Sequence, residues 1–404
     1  MPLIYTEDRA YLFAIDDHND IRNGVPQSVF YHVLPDGSLE VVADRHSYEA
    51  GRVMPPSPVE PPPQPVEPPS PVEPPQPPPL SPIVNPPSLI PVTREGDGNL
   101  INRGYAYYSQ AWIGPSGTIY VFAGVRESLP QFWSIDRLGN VTRMGSLVSV
   151  PGEAEGWYWD REGWIYLTDG ARLRRINPFT RAEAVVLDIT ASHPNHNLWQ
   201  AHSSVDGSTH SASVTQVVSM GKYPAVGTIV FRNGFVRYFE KEGNELDESI
   251  LSADGRFLII QEDNNNRVID LDTGEVRRFA DQDGALAHID TGPSYMVGES
   301  DKPDPGCCAY YDLLLPLELA FRRVMFPTTN MGHVSVKGGR CVNADAWSIY
   351  LVNLVTREKS WLIDHGMHGS SYDYQCMANL DPTGRVVTYL SNAAGRFDLY
   401  VLVL

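Results

Sequence analysis

The sequence predicts an all-β fold, a β-propeller of seven blades, and three observations predict it. Short runs rich in β-branched and aromatic residues recur behind Gly-containing turns. Four such runs fill roughly 35–45 residues, the repeat length of a propeller blade. Helical periodicity is nowhere convincing over roughly 11 residues, the one weak trace lying near Leu313 to Arg323.

The turns and strands follow in order along the chain. Pro35-Asp36-Gly37 precedes Ser38-Leu-Glu-Val-Val42, Pro115-Ser116-Gly117 precedes Thr118-Ile-Tyr-Val-Phe122, and Arg161-Glu162-Gly163 precedes Trp164-Ile-Tyr-Leu167. Ala253-Asp254-Gly255, Asp272-Thr273-Gly274 and Pro382-Thr383-Gly384 open further strands. Glycine supplies the positive φ of such turns, and the residues after it suit a pleated surface. Grouped in fours, the strands give units at 104–146, 155–189, 198–241, 247–281, 284–326, 331–364 and 371–404. The last unit shows three clear strands, within Asp373 to Leu380, Arg385 to Ser391 and Phe397 to Leu404. Leu3-Ile-Tyr-Thr6 is read as its fourth, closing the ring and removing exposed sheet edges. Residues 1–54 thus contribute strands to the propeller that occupies 93–404, and an eighth blade results if they form a full one.

Between these regions lies a different composition. Of 34 prolines, 19 fall between Pro55 and Pro91, in a Val-Glu-Pro-Pro repeat. Proline fixes φ and removes a donor, so 55–92 reads as an extended polyproline II spacer, with protein contact as its other use. The rest of the 404-residue chain, with 42% hydrophobic and 10% aromatic residues overall, can bury a large core. No apolar run is long enough to span a membrane as a helix, and Glu7, Asp8 and Arg9 stand where a secretory signal needs an apolar core. With 49 acidic against 31 basic side chains and a net charge of −18, the long-range field repels phosphate backbones and disfavours nucleic acid. An acidic ligand therefore needs a locally basic pocket.

Histidine placement is the most informative chemical feature. Of 11 histidines, eight lie from His193 onward. His202 and His210 flank an Asp206-Gly207 hairpin turn and can meet across two strands; His288 and His333 begin later blades at similar positions. Innermost strands line a propeller's channel, so these histidines converge on one funnel. Trp199 and Gln200, beside His202, are candidate substrate contacts, as is Tyr295, one of several tyrosines able to move a proton. Arg267 is the candidate anion anchor, a salt bridge to Asp263 or Asp270 being the plainer reading. The four cysteines, Cys307, Cys308, Cys341 and Cys376, cluster in the last quarter of the chain. Together with His333 they suit zinc, buried free thiols, or a disulfide such as a vicinal Cys307–Cys308 link. No Gly-x-Ser-x-Gly elbow, P-loop or dinucleotide fingerprint occurs.

The segments Gln200 to Ala212, Leu246 to Ile260, Asn266 to Leu271, Asp281 to His288 and Asn379 to Arg385 resemble propeller polysaccharide lyases of the ulvan-lyase-like and oligogalacturonate-lyase-like types. The resemblance covers about residues 100 to 404. It implies eliminative cleavage of a uronate-containing acidic glycan, at an extracellular or surface location. In that chemistry a cation neutralises the sugar carboxylate, a base removes the neighbouring C–H proton, and an acid protonates the leaving oxygen. It implies His202 and His210 as the acid/base pair, Arg267 as the neutraliser and His288 as a channel residue. It also strengthens a structural zinc on His333, Cys341, Cys376 and Cys308. The chain departs from the Gln-x-x-His-x-His metal motif of the oligogalacturonate type, since Gln375 is followed by Ala378 and Leu380. The competing expectation is a non-catalytic carbohydrate- or protein-binding propeller of a surface or particle.

Overall fold

A computed structural model of the chain describes residues 4–5, 11–22, 25–33, 39–44, 88–93, 111–125, 128–146, 158–216, 225–280, 284–300, 307–315, 321–327, 334–345, 347–367 and 376–404. Two compact units are present, Met1–Pro75 and Gln76–Leu404. Every regular element among the described residues is a strand, in eight four-stranded antiparallel sheets. One sheet belongs to the first unit and runs Ile4–Tyr5, Tyr11–Arg22, Val25–Val33, Leu39–Asp44 in that order. The other seven are the blades of the propeller: blade 1 (111–145), blade 2 (158–188), blade 3 (196–240), blade 4 (246–279), blade 5 (287–327), blade 6 (334–364) and blade 7 (379–403 with Ser88–Pro91). Of the weak helical trace, 313–315 form a turn and 321–323 open the strand Phe321–Pro327; the residues between lie outside the described ones.

Burial along each blade follows from its place in a ring. Second strands are covered on both faces by neighbouring blades, and Phe257–Glu262 is buried at every position. Outer strands expose one face, and Phe235–Glu240 alternates strictly. Seven apolar clusters occupy the seven seams between successive blades, the last joining Val121, Trp133 and Ile135 of blade 1 to Val386, Leu390 and Val401 of blade 7. This last seam closes the ring at seven. Turns are fixed by side-chain caps, as where Asp381 Oδ1 accepts the Arg385 and Val386 amides at 2.7 Å each. At Gly255, φ is +72° and a Cβ would stand 2.6 Å from Thr209 Oγ1 of the preceding blade, so the turn requires glycine twice over.

Closure corrects one expectation. Ile4 and Tyr5 pair with Leu12 and Tyr11 inside their own sheet, and the fourth strand of blade 7 is Ser88–Pro91, with Ile90 opposite Val401. The spacer reading of 55–92 therefore ends early, because Ser88-Leu-Ile-Pro91 is a strand; the remainder of that reading lies outside the described residues. Pro91 is tolerated because the strand is outermost and has one neighbour only, so a missing N–H breaks no second ladder. Thr93 completes the latch: its hydroxyl donates to Asp398 Oδ1 (2.9 Å) and accepts from the Leu399 amide (3.0 Å).

Candidate functional site

The first strand of each blade faces the axis, and three of them carry a repeated distortion. Gln200, His288 and Met377 have φ of +48°, +50° and +49°. Each stands two residues before a buried polar residue, His202, Asp290 and Asn379 respectively. The pairing slips by one residue at the first two sites, between Trp199 and His202 and between Ala287 and Asp290. Such bulges re-aim side chains, and backbone strain of this kind gathers at working sites.

Buried side chains of blades 2, 3, 5 and 6 meet across the ring. The Tyr158 and His202 rings lie 3.4 Å apart between centroids. Lys337 Nζ reaches Asp290 at 3.0 and 3.2 Å and stands 5.8 Å from the Tyr158 ring, on the far side of the ring of blades. Asp290 Oδ2 also accepts the Val336 amide at 2.6 Å. Tyr158, His202, Asp290 and Lys337 are all buried. Burial, then the Lys337 charge, hold His202 well below the ordinary histidine range, and its Nδ1 accepts the Leu251 amide at 3.3 Å. His202 is a neutral, enclosed imidazole.

His210 is not its partner. Ser203 stands opposite His210 and His202 opposite Ser211, so the two histidines point to opposite faces of blade 3. His210 lies in the seam with blade 2, its Nδ1 2.8 Å from Ser203 Oγ and its ring 4.5 Å from Tyr166. Burial, with Arg175 next in weight, lowers its pKa to about 4. Arg267 sits on the third strand of blade 4, Asn265–Asp270, and its partners are neither Asp263 nor Asp270. It pairs with Glu242 (2.7 Å) and Glu262 (3.0 Å) and donates to the Glu240 carbonyl (2.9 Å). Tyr295 opens the second strand of blade 5 at its hairpin end, stacked on Tyr310 at 5.0 Å. His193 and His196 precede and begin the first strand of blade 3, with His193 against Tyr238 at 4.9 Å.

His288 remains on the axis side and half-open. Its Nδ1 lies 3.1 Å from Glu299 Oε2. Burial lowers its proton affinity, but the bond and charge of Glu299, with Glu248 and Asp247, outweigh burial and raise it. On blade 4, Asp247 is exposed and accepts Gln261 Nε2 at 3.2 Å. The protein around the Asp247 carboxyl raises its pKa, His288 opposes this, and Glu245 adds to it. Gln200 Oε1 and Gln261 Oε1 are buried without a protein donor. The structure thus brings Gln200 and His288 to equivalent bulges and adds Asp247, Gln261 and Glu299, which sequence reasoning missed. Trp199, half-buried on the first strand of blade 3, is adjacent.

The zinc set does not assemble among the described residues. Cys308 and Cys341 meet in the blade 5–6 seam, whereas Cys376 is in the blade 6–7 seam and His333 lies outside the described residues. Cys308, Cys341 and Cys376 are free thiols, and a free Cys308 removes a Cys307–Cys308 link. No group of three or more His, Cys, Asp or Glu among the described residues suits a metal ion. Ala378 and Leu380, where the lyase metal motif has histidines, are packed into the blade 6–7 core.

These features define the class as a seven-bladed β-propeller with a histidine–carboxylate cluster between blades 4 and 5. No protein-family model matches the chain, and no curated protein matches it by sequence. Among solved structures the chain is similar to an oligogalacturonate lyase in complex with manganese (TM-score 0.56, 15% identity, 75% of this chain and 90% of that one). It is similar to the oligogalacturonate lyase of Vibrio parahaemolyticus (TM-score 0.56, 12% identity, 78% and 93%). The Cps50 (Swd1) β-propeller domain of Myceliophteria thermophila is a further likeness (TM-score 0.51, 8% identity, 78% and 99%). At these identities the likeness is one of fold.

Proposed function

We propose that this chain is a lyase-like propeller that cleaves a uronate-containing acidic glycan by β-elimination, with His288 and Asp247 handling the protons. The observation that carries the reading is the strained, half-open His288 set between Glu299 and Asp247. Elimination removes the proton beside the sugar carboxylate; the released electron pair forms the C=C bond and expels the glycosidic oxygen, which takes up a proton. Asp247, its proton affinity raised by its surroundings, suits the base. His288, kept protonated to higher pH by Glu299, suits the acid. No step runs through a metal, because the described residues do not fit one.

The test is new ultraviolet absorbance of an unsaturated uronate on adding ulvan, polygalacturonate or a glycosaminoglycan. His288→Ala and Asp247→Asn are each expected to lower kcat/KM by about 10²–10⁴. Silence on all three glycans, or full activity in His288→Ala, overturns the assignment.

A second reading is a non-catalytic propeller that binds a glycan or protein. It is favoured by the sign of the cluster: Asp247, Glu248 and Glu299 surround one histidine, and the expected neutraliser, Arg267, is engaged by Glu242 and Glu262. Retention on immobilised glycan without product supports this reading over the first.

A further inference from the structure

We propose that Cys308 and Cys341 are a redox-dependent crosslink site that staples blade 5 to blade 6. Cys308 lies on the second-to-last strand of blade 5, Cys307–Asp312, and Cys341 on the second strand of blade 6, Arg340–Ala344. Both thiols are buried, in one cluster with Val297 from blade 5 and Val334, Val336 and Val352 from blade 6. They are in direct thiol–thiol contact, and both are free. The pairing is between blades rather than along one strand, so it links two separately folded sheets. A thiol pair of this kind has little use in packing that two valines would not serve, whereas a bond between the sulfurs joins strands 33 positions apart in sequence. The same seam holds the Asp290–Lys337 ion pair, so the bond would close it a second time, beside the axis.

The reduced state is protected. Contact with Cys308, then burial, raise the Cys341 pKa well above the thiol range, which leaves little thiolate to start exchange. Oxidation is expected to be slow and to follow opening of the seam. The step is balanced with a diazene oxidant such as diamide: two S–H bonds break, one S–S bond forms, and diamide takes two electrons and two protons to become the hydrazine.

The full-length protein is incubated with diamide under native conditions, alkylated, digested without reductant and mapped by mass spectrometry. The expected result is a peptide pair joining Cys308 to Cys341, a mass loss of about 2 Da, and a melting temperature higher by about 4 °C that dithiothreitol reverses. Cys308→Ala and Cys341→Ala, each checked for folding by circular dichroism, should lose the diamide-dependent rise. Retention of both free thiols in folded wild-type protein, or a link mapped to Cys307 or Cys376 instead, overturns the proposal. The wild-type map decides the matter even if a variant fails to fold.

Discussion

His210 shows how one residue's surroundings set its use. Clamped between Tyr166 and Phe231 and bonded to Ser203, it has a pKa of about 4 against an ordinary 6.5. Between these values the unfolded chain binds a proton that the folded one refuses. Stability from this site is therefore complete above pH 6.5 and falls as the pH drops toward 4, by up to about 3 kcal/mol. Urea unfolding at pH 7.0 and 4.5 checks this: His210→Gln should lose less stability than wild type on acidification by roughly 2–3 kcal/mol, with the contribution of His202 common to both. His288 has the opposite sign. Its raised proton affinity favours folding at low pH, and that contribution fades as pH rises through its folded pKa. Sequence spacing singled out both histidines but could not tell the closed seam from the half-open cluster, because burial is decided by the neighbouring blade.

At the scale of elements, the ring depends on a short strand far from the rest of its blade in sequence. Ser88–Pro91 adds to Asp398–Val403, and the Thr93 hydroxyl joins the buried Asp398 carboxylate to the Leu399 amide. Thr93→Val keeps the shape and removes both bonds. It is expected to lower stability by about 2 kcal/mol, read from the shift in urea midpoint at unchanged slope. An unchanged midpoint would show that blade 7 does not depend on this latch. Glycine turns and alternating strands made the blades legible in the sequence almost strand by strand. The partner of an edge strand was not legible, since Leu3 to Thr6 and Ser88 to Pro91 are equally short and β-rich, and only pairing separates them.

At the scale of the whole molecule, buried polar side chains of four blades meet across the ring. Lys337 and Asp290 are an ion pair buried between blades 5 and 6, and Tyr158 and His202 approach from blades 2 and 3. Removing one charge strands the other in a buried site, so Lys337→Met is expected to cost about 3–5 kcal/mol. Lys337→Met with Asp290→Asn should recover at least half of that loss in the same urea assay. Equal losses in the single and double variants would refute a buried, coupled pair. On the proposed lyase reading, a glycan is expected to meet the propeller beside Asp247 and His288.

Composition, turn chemistry and strand periodicity determined the all-β class and the blade spacing, because each blade repeats the same local rules; they favoured seven blades over eight, and the seam between blades 7 and 1 decided the count. The place of His288 on the first strand of its blade was legible from the same repeat. The site as a whole was decided only by tertiary structure. Extending the Trp199–Ser213 register evenly sets His202 opposite His210; the extra residue at Gln200 shifts the pairing, so Ser203 opposes His210 and His202 turns toward the axis. Asp247, Glu299, Asp290 and Lys337 come from four strands, and nothing in sequence spacing pairs Lys337 with Asp290 or sets Glu299 and Asp247 near His288. A side chain's face depends on the parity of its strand, and one bulged residue reverses that parity without leaving a mark in composition or spacing.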